Sequence, residues 1–387
     1  MTTAADCAMR ECSACHQGVP TGPFCGRCGA DQRTRATQRR KLLRPNVFIA
    51  AHRQPVFIPM FTSTLCPHLA STDRIVFRHG LILAAGGLIG VSALQHLPLL
   101  VVLTAFAIPL LFVLYLWRSD IFRDIPARAM ILAPIIGVAL SVTWWVWSAD
   151  RVSDSYGIPL SAGFQLKDVL NLGLVVSAGD TLLMLAPAVV VRLLRLPSIE
   201  SLDGYVIGAL GSLAYTTAAT VTWLAPQFVA GLLDYHDSWR LLSRAILYGV
   251  FDPLTAAAAG GTMGLLLWFR PGKRTEQPQR LRMILAICAA VCCCCYLGVY
   301  VVDASNNPRG LETAINLAIT VAAVQTLRFA LQIAVLHEAP DDATGEPVMC
   351  IHCSAAVPDM PFCPECGCAA RASSRSARRL RYVGCAP

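Results

Sequence analysis

Residues 98–117 read PLLVVLTAFAIPLLFVLYLW, a run of apolar positions without a single charge. A helix rises about 1.5 Å per residue, so such a run spans the roughly 30 Å hydrocarbon core of a bilayer. The pattern recurs at 78–95, 129–148, 169–191, 205–225, 245–268, 281–302 and 311–336, giving eight candidate spans. The first of these begins on Arg78 and His79. The expected fold is therefore an all-α polytopic membrane bundle of about eight transmembrane helices over 78–336, with a small cysteine-rich module at each terminus.

Composition agrees. Of 387 residues, 55% are hydrophobic and only 14% charged, against about 25% charged in soluble domains. The basic residues are 29 Arg and only 3 Lys (Lys41, Lys167 and Lys273), beside abundant Ala. That is the codon bias of a GC-rich genome, so a bacterial inner membrane is expected. Met1 to Ala30 is polar and rich in Cys and Gly, without the apolar core of about 7–15 residues that marks a secretory signal. The N-terminus is expected to stay in the cytoplasm, where paired cysteines remain reduced and are more often metal ligands than disulfides.

Charge placement gives an independent check, because Lys and Arg favour cytoplasmic loops. With the N-terminus inside, 26 of the 32 basic residues fall on the cytoplasmic side and 5 outside, with Arg328 inside the last span. The outside set is Arg151, Lys167, Arg240, Arg244 and Arg309. Eight spans with both ends cytoplasmic follow. The clusters Gln38-Arg39-Arg40-Lys41 and Arg378-Arg379 have no interleaved aromatics. They read as juxtamembrane residues facing anionic lipid, and no nucleic acid is expected.

The clearest chemistry is Cys12-Ser-Ala-Cys15, nine residues, then Cys25-Gly-Arg-Cys28-Gly29. The far end repeats it as Cys350-Ile-His-Cys353, nine residues, then Cys363-Pro-Glu-Cys366-Gly367. Pro23-Phe24 and Pro361-Phe362 stand directly before the third cysteine of each copy. Two residues between cysteines let a tight turn aim both sulfurs at one ion, and two such turns complete a tetrahedral shell. The glycine after the last ligand permits the backbone such a turn demands. About 20 residues build no core alone, so metal binding and folding should be one event. The repeat resembles the zinc-ribbon modules at the ends of many bacterial membrane proteins, which implies two structural Zn2+ sites. His16, His352, Cys7 and Cys368 read as bystanders, and Cys66 and Cys385 have no assigned role.

The domain reading is thus a ribbon at 1–30, a basic juxtamembrane linker at 31–77, the membrane domain at 78–336, a linker at 337–349, a ribbon at 350–368 and a basic tail at 369–387. Within the membrane part, Cys288, Cys292 and Cys295 share one helix face in the Cys292–Cys295 run, a small-residue face suited to close helix packing. Three ionisable residues stand at membrane depth, where charge is costly and functional by default. They are Asp180, Asp252 and Arg328, the last flanked on its face by Gln325 and Gln332. One reading is a polar site whose two carboxylates activate water. The alternative, which sequence favours, is structural: an aspartate pairs with Arg328, or Arg328 reaches to the nearby cytoplasmic side. Thr216, Thr217, Thr220 and Thr222 in the fifth span can hydrogen-bond within or between helices.

The stretch Ser201-Leu202-Asp203-Gly204-Tyr205 through Tyr215, with Arg244 to Asp252, resembles PrsW-type intramembrane proteases over residues 169–268. It is similar to that family's Asp-Gly helix start and its histidine-bearing helix. The resemblance implies a glutamate pair, a further glutamate and a histidine. This chain has Gly179-Asp180, Ala219 and Asp252 at the matching places. The expectation is a pseudoprotease, a non-catalytic membrane scaffold or regulator that binds an unidentified protein partner through its cytoplasmic ribbons. An aspartate-dependent intramembrane protease using Asp180 and Asp252 is the alternative, since Gly179-Asp180 is similar to the Gly-Asp of presenilin-like enzymes. A transporter is the third reading, without a visible inverted repeat to support it.

Overall fold

In a computed structural model, residues 9–33, 48–51, 54–69, 73–156, 176–194, 200–229, 238–272, 277–303, 308–338 and 347–378 are described. Residues 38–41 and 169–175, with Cys7, Arg379 and Cys385, lie outside this set. The helices are α1 Phe61–Leu65, α2 Asp73–Ala93, α3 Leu97–Arg118, α4 Ala127–Tyr156, α5 Ser177–Leu193, α6 Ser201–Val229, α7 Ser238–Ile246, α8 Asp252–Trp268, α9 Pro278–Asp303 and α10 Arg309–His337. A π-helical turn, Leu247–Phe251, joins α7 to α8. Two small hairpins complete the chain: β1 Met9–Glu11 with β2 Gly18–Pro20, and β3 Pro347–Met349 with β4 Ala356–Pro358.

Among the described residues, six helical segments are long and apolar enough to cross a membrane: Ile75–Ala93, Leu99–Arg118, Ala127–Ser148, Leu241–Trp268, Pro278–Asp303 and Gly310–His337. That is two fewer than the eight expected. The difference lies in α5 and α6. Only 17 residues of α5 are described, and α6 is diluted in apolar content by Gly, Ser, Thr and Tyr. The dilution has a packing reason. Almost every side chain of α6 from Ser201 to Thr220 is buried, so this helix is surrounded by protein and does not need a lipid-facing surface.

Small residues set the centre of the bundle. Gly204, Gly208 and Ser212 recur every four residues on α6 and face Gly264 and Gly260 of α8, which runs antiparallel to it. A Cβ on Gly204 would stand 2.6 Å from the Gly264 carbonyl oxygen, and one on Gly208 would overlap that of Gly260. Such close approach replaces the hydrophobic drive that is missing between helices in lipid. On its other sides α6 meets α4, where Gly137 lies on Gly211 and Tyr215, and α5, where Pro187 lies on Gly211. On α9, Cys292 is buried and its Sγ lies 3.6 Å from the Ala323 carbonyl of α10. The cysteine face thus serves helix packing, and Cys294 points outward.

The stretch at 48–69, read from sequence as basic linker, is drawn into the bundle. Phe48, Ile49, Ala50, Ala51, Val56, Leu65 and Cys66 are buried. Arg328 is the reason. Its side chain is 0% exposed, so its five N–H groups need protein partners. Nε donates to the Val56 carbonyl at 3.1 Å, one terminal nitrogen to Ser63 and Thr64 at 2.9 and 3.0 Å, and the other to Pro55 and Gln54 at 3.1 and 3.4 Å. The Phe48 ring covers the guanidinium at 3.7 Å. Gln325 and Gln332, its neighbours on the same face, hold Val56 and Ile49. The structure therefore corrects the expected Arg328–aspartate pair, since neither Asp180 nor Asp252 forms an ion pair among the described residues.

The Gly208–Gly260 crossing makes a directional prediction. Gly208→Ala should destabilise the bundle by about 3 kcal/mol through overpacking, seen as a lower unfolding temperature in detergent. Gly90→Ala, where an added Cβ meets nothing within 4 Å, should be neutral or gain up to about 1 kcal/mol from helix propensity.

Candidate metal centres and buried carboxylates

Each terminal module is built by the same local rules. After β1, the His16 amide bonds the Cys12 carbonyl at 2.9 Å, closing a knuckle around Cys12 and Cys15. The Gly29 amide likewise bonds the Cys25 carbonyl. The far module repeats both turns, from Ser354 to Cys350 and from Gly367 to Cys363. Gly29 and Gly367 adopt φ of 67° and 74°, the left-handed backbone that glycine accepts without strain. His16 and Ser354 take the same conformation, at 53° and 56°, at a cost of about 1–2 kcal/mol for a residue with Cβ.

The sulfurs of Cys12, Cys15, Cys25 and Cys28 all lie within 4.8 Å of one another, as do those of Cys350, Cys353, Cys363 and Cys366. Four of the separations are 3.7, 3.9, 3.7 and 3.8 Å. A disulfide needs about 2.05 Å, whereas four thiolates about 2.3 Å from one ion form a tetrahedron with edges of about 3.8 Å. Backbone amides of Ala14 and Cys28 point at the Cys12 and Cys25 sulfurs, both at 3.4 Å, which favours the thiolate form. Burial and the neighbouring Cys28 thiol hold Cys15 up at about 11. The hydrogen bonds to Cys350 push Cys363 and Cys366 up as well. Four sulfurs gathered this closely match a tetrahedral shell, so both sets fit a metal ion. Of the remaining candidates, His16 turns to Glu11, and Cys368 stands against Cys366 while its carbonyl accepts from the Cys363 amide.

The two modules pack on each other through a local two-fold. Matching Cys12 to Cys350 and Cys25 to Cys363 makes Phe24 the counterpart of Phe362, and Gly26 that of Pro364. The Phe24 amide bonds the Pro364 carbonyl and the Phe362 amide bonds the Gly26 carbonyl, both at 2.9 Å. Met360 sits on Gly26 as Pro364 sits on Gly22, and the Phe24 ring covers Gly367. Each phenylalanine is buried, which gives both small modules apolar packing.

The joined pair is fastened to the membrane domain. The Ala369 amide bonds the Ile49 carbonyl at 2.8 Å, reaching the segment that Arg328 orders. Beyond it, Arg371 pairs with Glu338 at 3.1 Å, Arg375 with Asp203 at 2.6 Å and Arg378 with Glu200 at 2.7 Å. The lipid-facing role expected for Arg378 is thus replaced by a carboxylate contact. Glu338 also accepts from the Ser201 amide and hydroxyl at 2.9 and 2.7 Å, so a negative group caps the N-terminus of α6. Burial pushes Glu338 upward, and Arg371 and Ser201 draw it back. Nearby, burial and the adjacent arginines hold His68 down at about 3, neutral beside the Tyr115 hydroxyl at 2.6 Å.

Asp180 and Asp252 are 2% and 3% exposed. Tyr215 of α6 donates to Asp180 Oδ1 at 2.7 Å, and Tyr296 of α9 to Oδ2 at 2.9 Å. The Tyr296 and Tyr300 hydroxyls are 3.0 Å apart, and Tyr300 stands 3.3 Å from Asp252 Oδ1. The two aspartates are thus linked by a tyrosine ladder. The three tyrosines were not picked out from sequence, although Tyr296 and Tyr300 stand one turn apart within a span. Thr216 and Thr217 donate to the Leu213 carbonyl of their own helix.

Elemental mass spectrometry of the full chain should find two tightly held metal ions. Cys25→Ser or Cys363→Ser should leave one or fewer, because the ribbons share an interface and the loss of one loosens its neighbour. Retention of two ions in both variants would refute the assigned ligand sets.

No family model, no curated protein and no solved structure matches this chain.

Proposed function

We propose that the chain is a non-catalytic scaffold or regulator of a bacterial inner membrane, presenting a paired zinc-ribbon platform to a protein partner in the cytoplasm. The observation that carries this reading is the joining of two four-cysteine modules into one body, clamped to the helix bundle by Arg371, Arg375 and Arg378. A closed shell of four thiolates leaves no open position for substrate, so zinc there supplies folding energy and not chemistry.

The topology belongs to the same proposal. Modules from opposite chain ends that bond each other lie on one side of the membrane, which requires an even number of crossings. The antiparallel contact of α6 with α8 at Gly204–Gly264 and Gly208–Gly260 favours α6 as a crossing at the depth of α8. The return through α5 then makes eight. The basic clusters favour the cytoplasm for both ends.

The PrsW resemblance fits a pseudoprotease in this scheme. Asp203 of the Asp-Gly helix start accepts the Glu200 amide and holds Arg375, a fastening role. The competing protease reading draws on the linkage of Asp180 to Asp252. It is weakened because both Asp180 oxygens already receive phenol hydroxyls, the positions an attacking water would occupy.

A census of new protein termini tests the two against each other, in cells lacking the protein and complemented with wild type, Asp180→Asn or Asp252→Asn. The scaffold predicts no fragments specific to wild type; fragments that vanish in either variant would make it a protease. In the same cells, crosslinking should capture a partner that is lost with Cys363→Ser and retained with Asp180→Asn.

A further inference from the structure

We propose that Asp180 and Asp252 form one proton-binding unit within the membrane, holding a single proton between them through the Tyr296 and Tyr300 hydroxyls. The argument is a count of hydrogens. Three oxygen–oxygen links join the carboxyls: Asp180 Oδ2 to Tyr296 at 2.9 Å, Tyr296 to Tyr300 at 3.0 Å, and Tyr300 to Asp252 Oδ1 at 3.3 Å. Each link needs one hydrogen, and the two phenols supply only two. The third must reside on a carboxyl.

It can sit at either end. With Asp252 protonated, Asp252 donates to Tyr300, Tyr300 to Tyr296 and Tyr296 to ionised Asp180. With Asp180 protonated, all three bonds reverse. The states interconvert when the Asp252 proton passes to Tyr300 as Tyr300 gives its own to Tyr296 and Tyr296 its own to Asp180. The number of protons is unchanged. Tyr215 donates to Asp180 Oδ1 in both, which favours the state with Asp180 ionised and Asp252 neutral.

A second observation points the same way. Among the described residues, Ser141 Oγ on α4 is fully buried without a hydrogen-bond partner, and so is Trp144 Nε1. The Trp144 ring lies on Gly179, next to Asp180, and Gly137, on the same α4 face as Ser141, meets Tyr215. Beside Gly179, α4 thus carries two buried polar groups with unused capacity within one turn, the setting a water-borne proton requires. A metal cation suits the site less well, since an indole N–H is donor-only and phenol hydrogens occupy the carboxylate. The other titratable groups facing the unit are Tyr215 of α6, Asp303 of α9 and Tyr248 of the π turn. Tyr248 and Arg244 both hold Asp303.

Infrared titration of the full-length protein in lipid nanodiscs, read at the protonated-carboxyl C=O band, tests this. The double variant Asp180→Asn/Asp252→Asn supplies the baseline. At neutral pH wild type should show one acid equivalent, and neither single Asn variant should halve it. Tyr296→Phe keeps both carboxyls, cuts the ladder and is close to isosteric, so it remains informative if an Asn variant fails to fold. It should raise the band toward two equivalents or split it into two titrations. A wild-type band twice that of each single variant would mean two independent acids, and a missing band would mean two carboxylates; either overturns the proposal. So would a Tyr296→Phe titration identical to wild type.

Discussion

A guanidinium sealed away from water must find a partner for every N–H, and Arg328 organises the end of the bundle that carries both cysteine modules by that requirement. Hydrogen bonds to a charged group are worth roughly 1.5–3 kcal/mol each, and leaving one unmade in the interior costs at least as much. Its acceptors come from Gln54, Pro55, Val56, Ser63 and Thr64, so a segment with little regular structure is folded against α10. Phe48 closes over the charge, and the next residue, Ile49, offers its carbonyl to Ala369. Burial of one arginine thus connects the membrane domain to the ribbon at the far end of the chain.

The ribbons complete that connection from the other direction. Each is too small to fold on apolar burial alone, and each has a phenylalanine seated at their shared face. The local two-fold explains why the copies agree in spacing and in the residue before the third cysteine: an isologous contact asks the same surface of both halves. The fastening to Glu200, Asp203 and Glu338 then places arginines against acids that surround the start of α6. The four-cysteine clusters, the pairing of the two modules and the capping of α6 form one chain of dependence running from the chain ends into the bundle.

Deeper in, two kinds of constraint meet at α6. Its glycine stripe lets α8 approach to backbone contact, and its Tyr215 reaches Asp180 on α5. Among the described residues no cation pairs with either aspartate, and phenol hydroxyls take that role. The π turn directly before Asp252 and Pro253 belongs to the same region, and such turns recur where a helix adjusts to a functional group.

Sequence by itself determined what depends on local pattern. Apolar length set the membrane class, and the CxxC spacing with its trailing glycine set both four-cysteine clusters, since each knuckle is closed by bonds within a few residues. Small residues at Gly204, Gly208, Gly260 and Gly264 were visible, but their pairing was not. Tertiary structure decided the partners of every long-range polar group. Arg328 was read as pairing with an aspartate or reaching to the membrane face, yet it binds neutral carbonyls and hydroxyls of Gln54, Pro55, Val56, Ser63 and Thr64. Arg378 was read as facing lipid, yet it and Arg375 meet acids separated from them by well over a hundred residues. Asp180 and Asp252 stand on different helices and are joined only because α9 brings two tyrosines between them. A hydrogen bond needs a partner within about 3 Å, and which residues come that close is fixed by how the helices cross, a property no single segment carries.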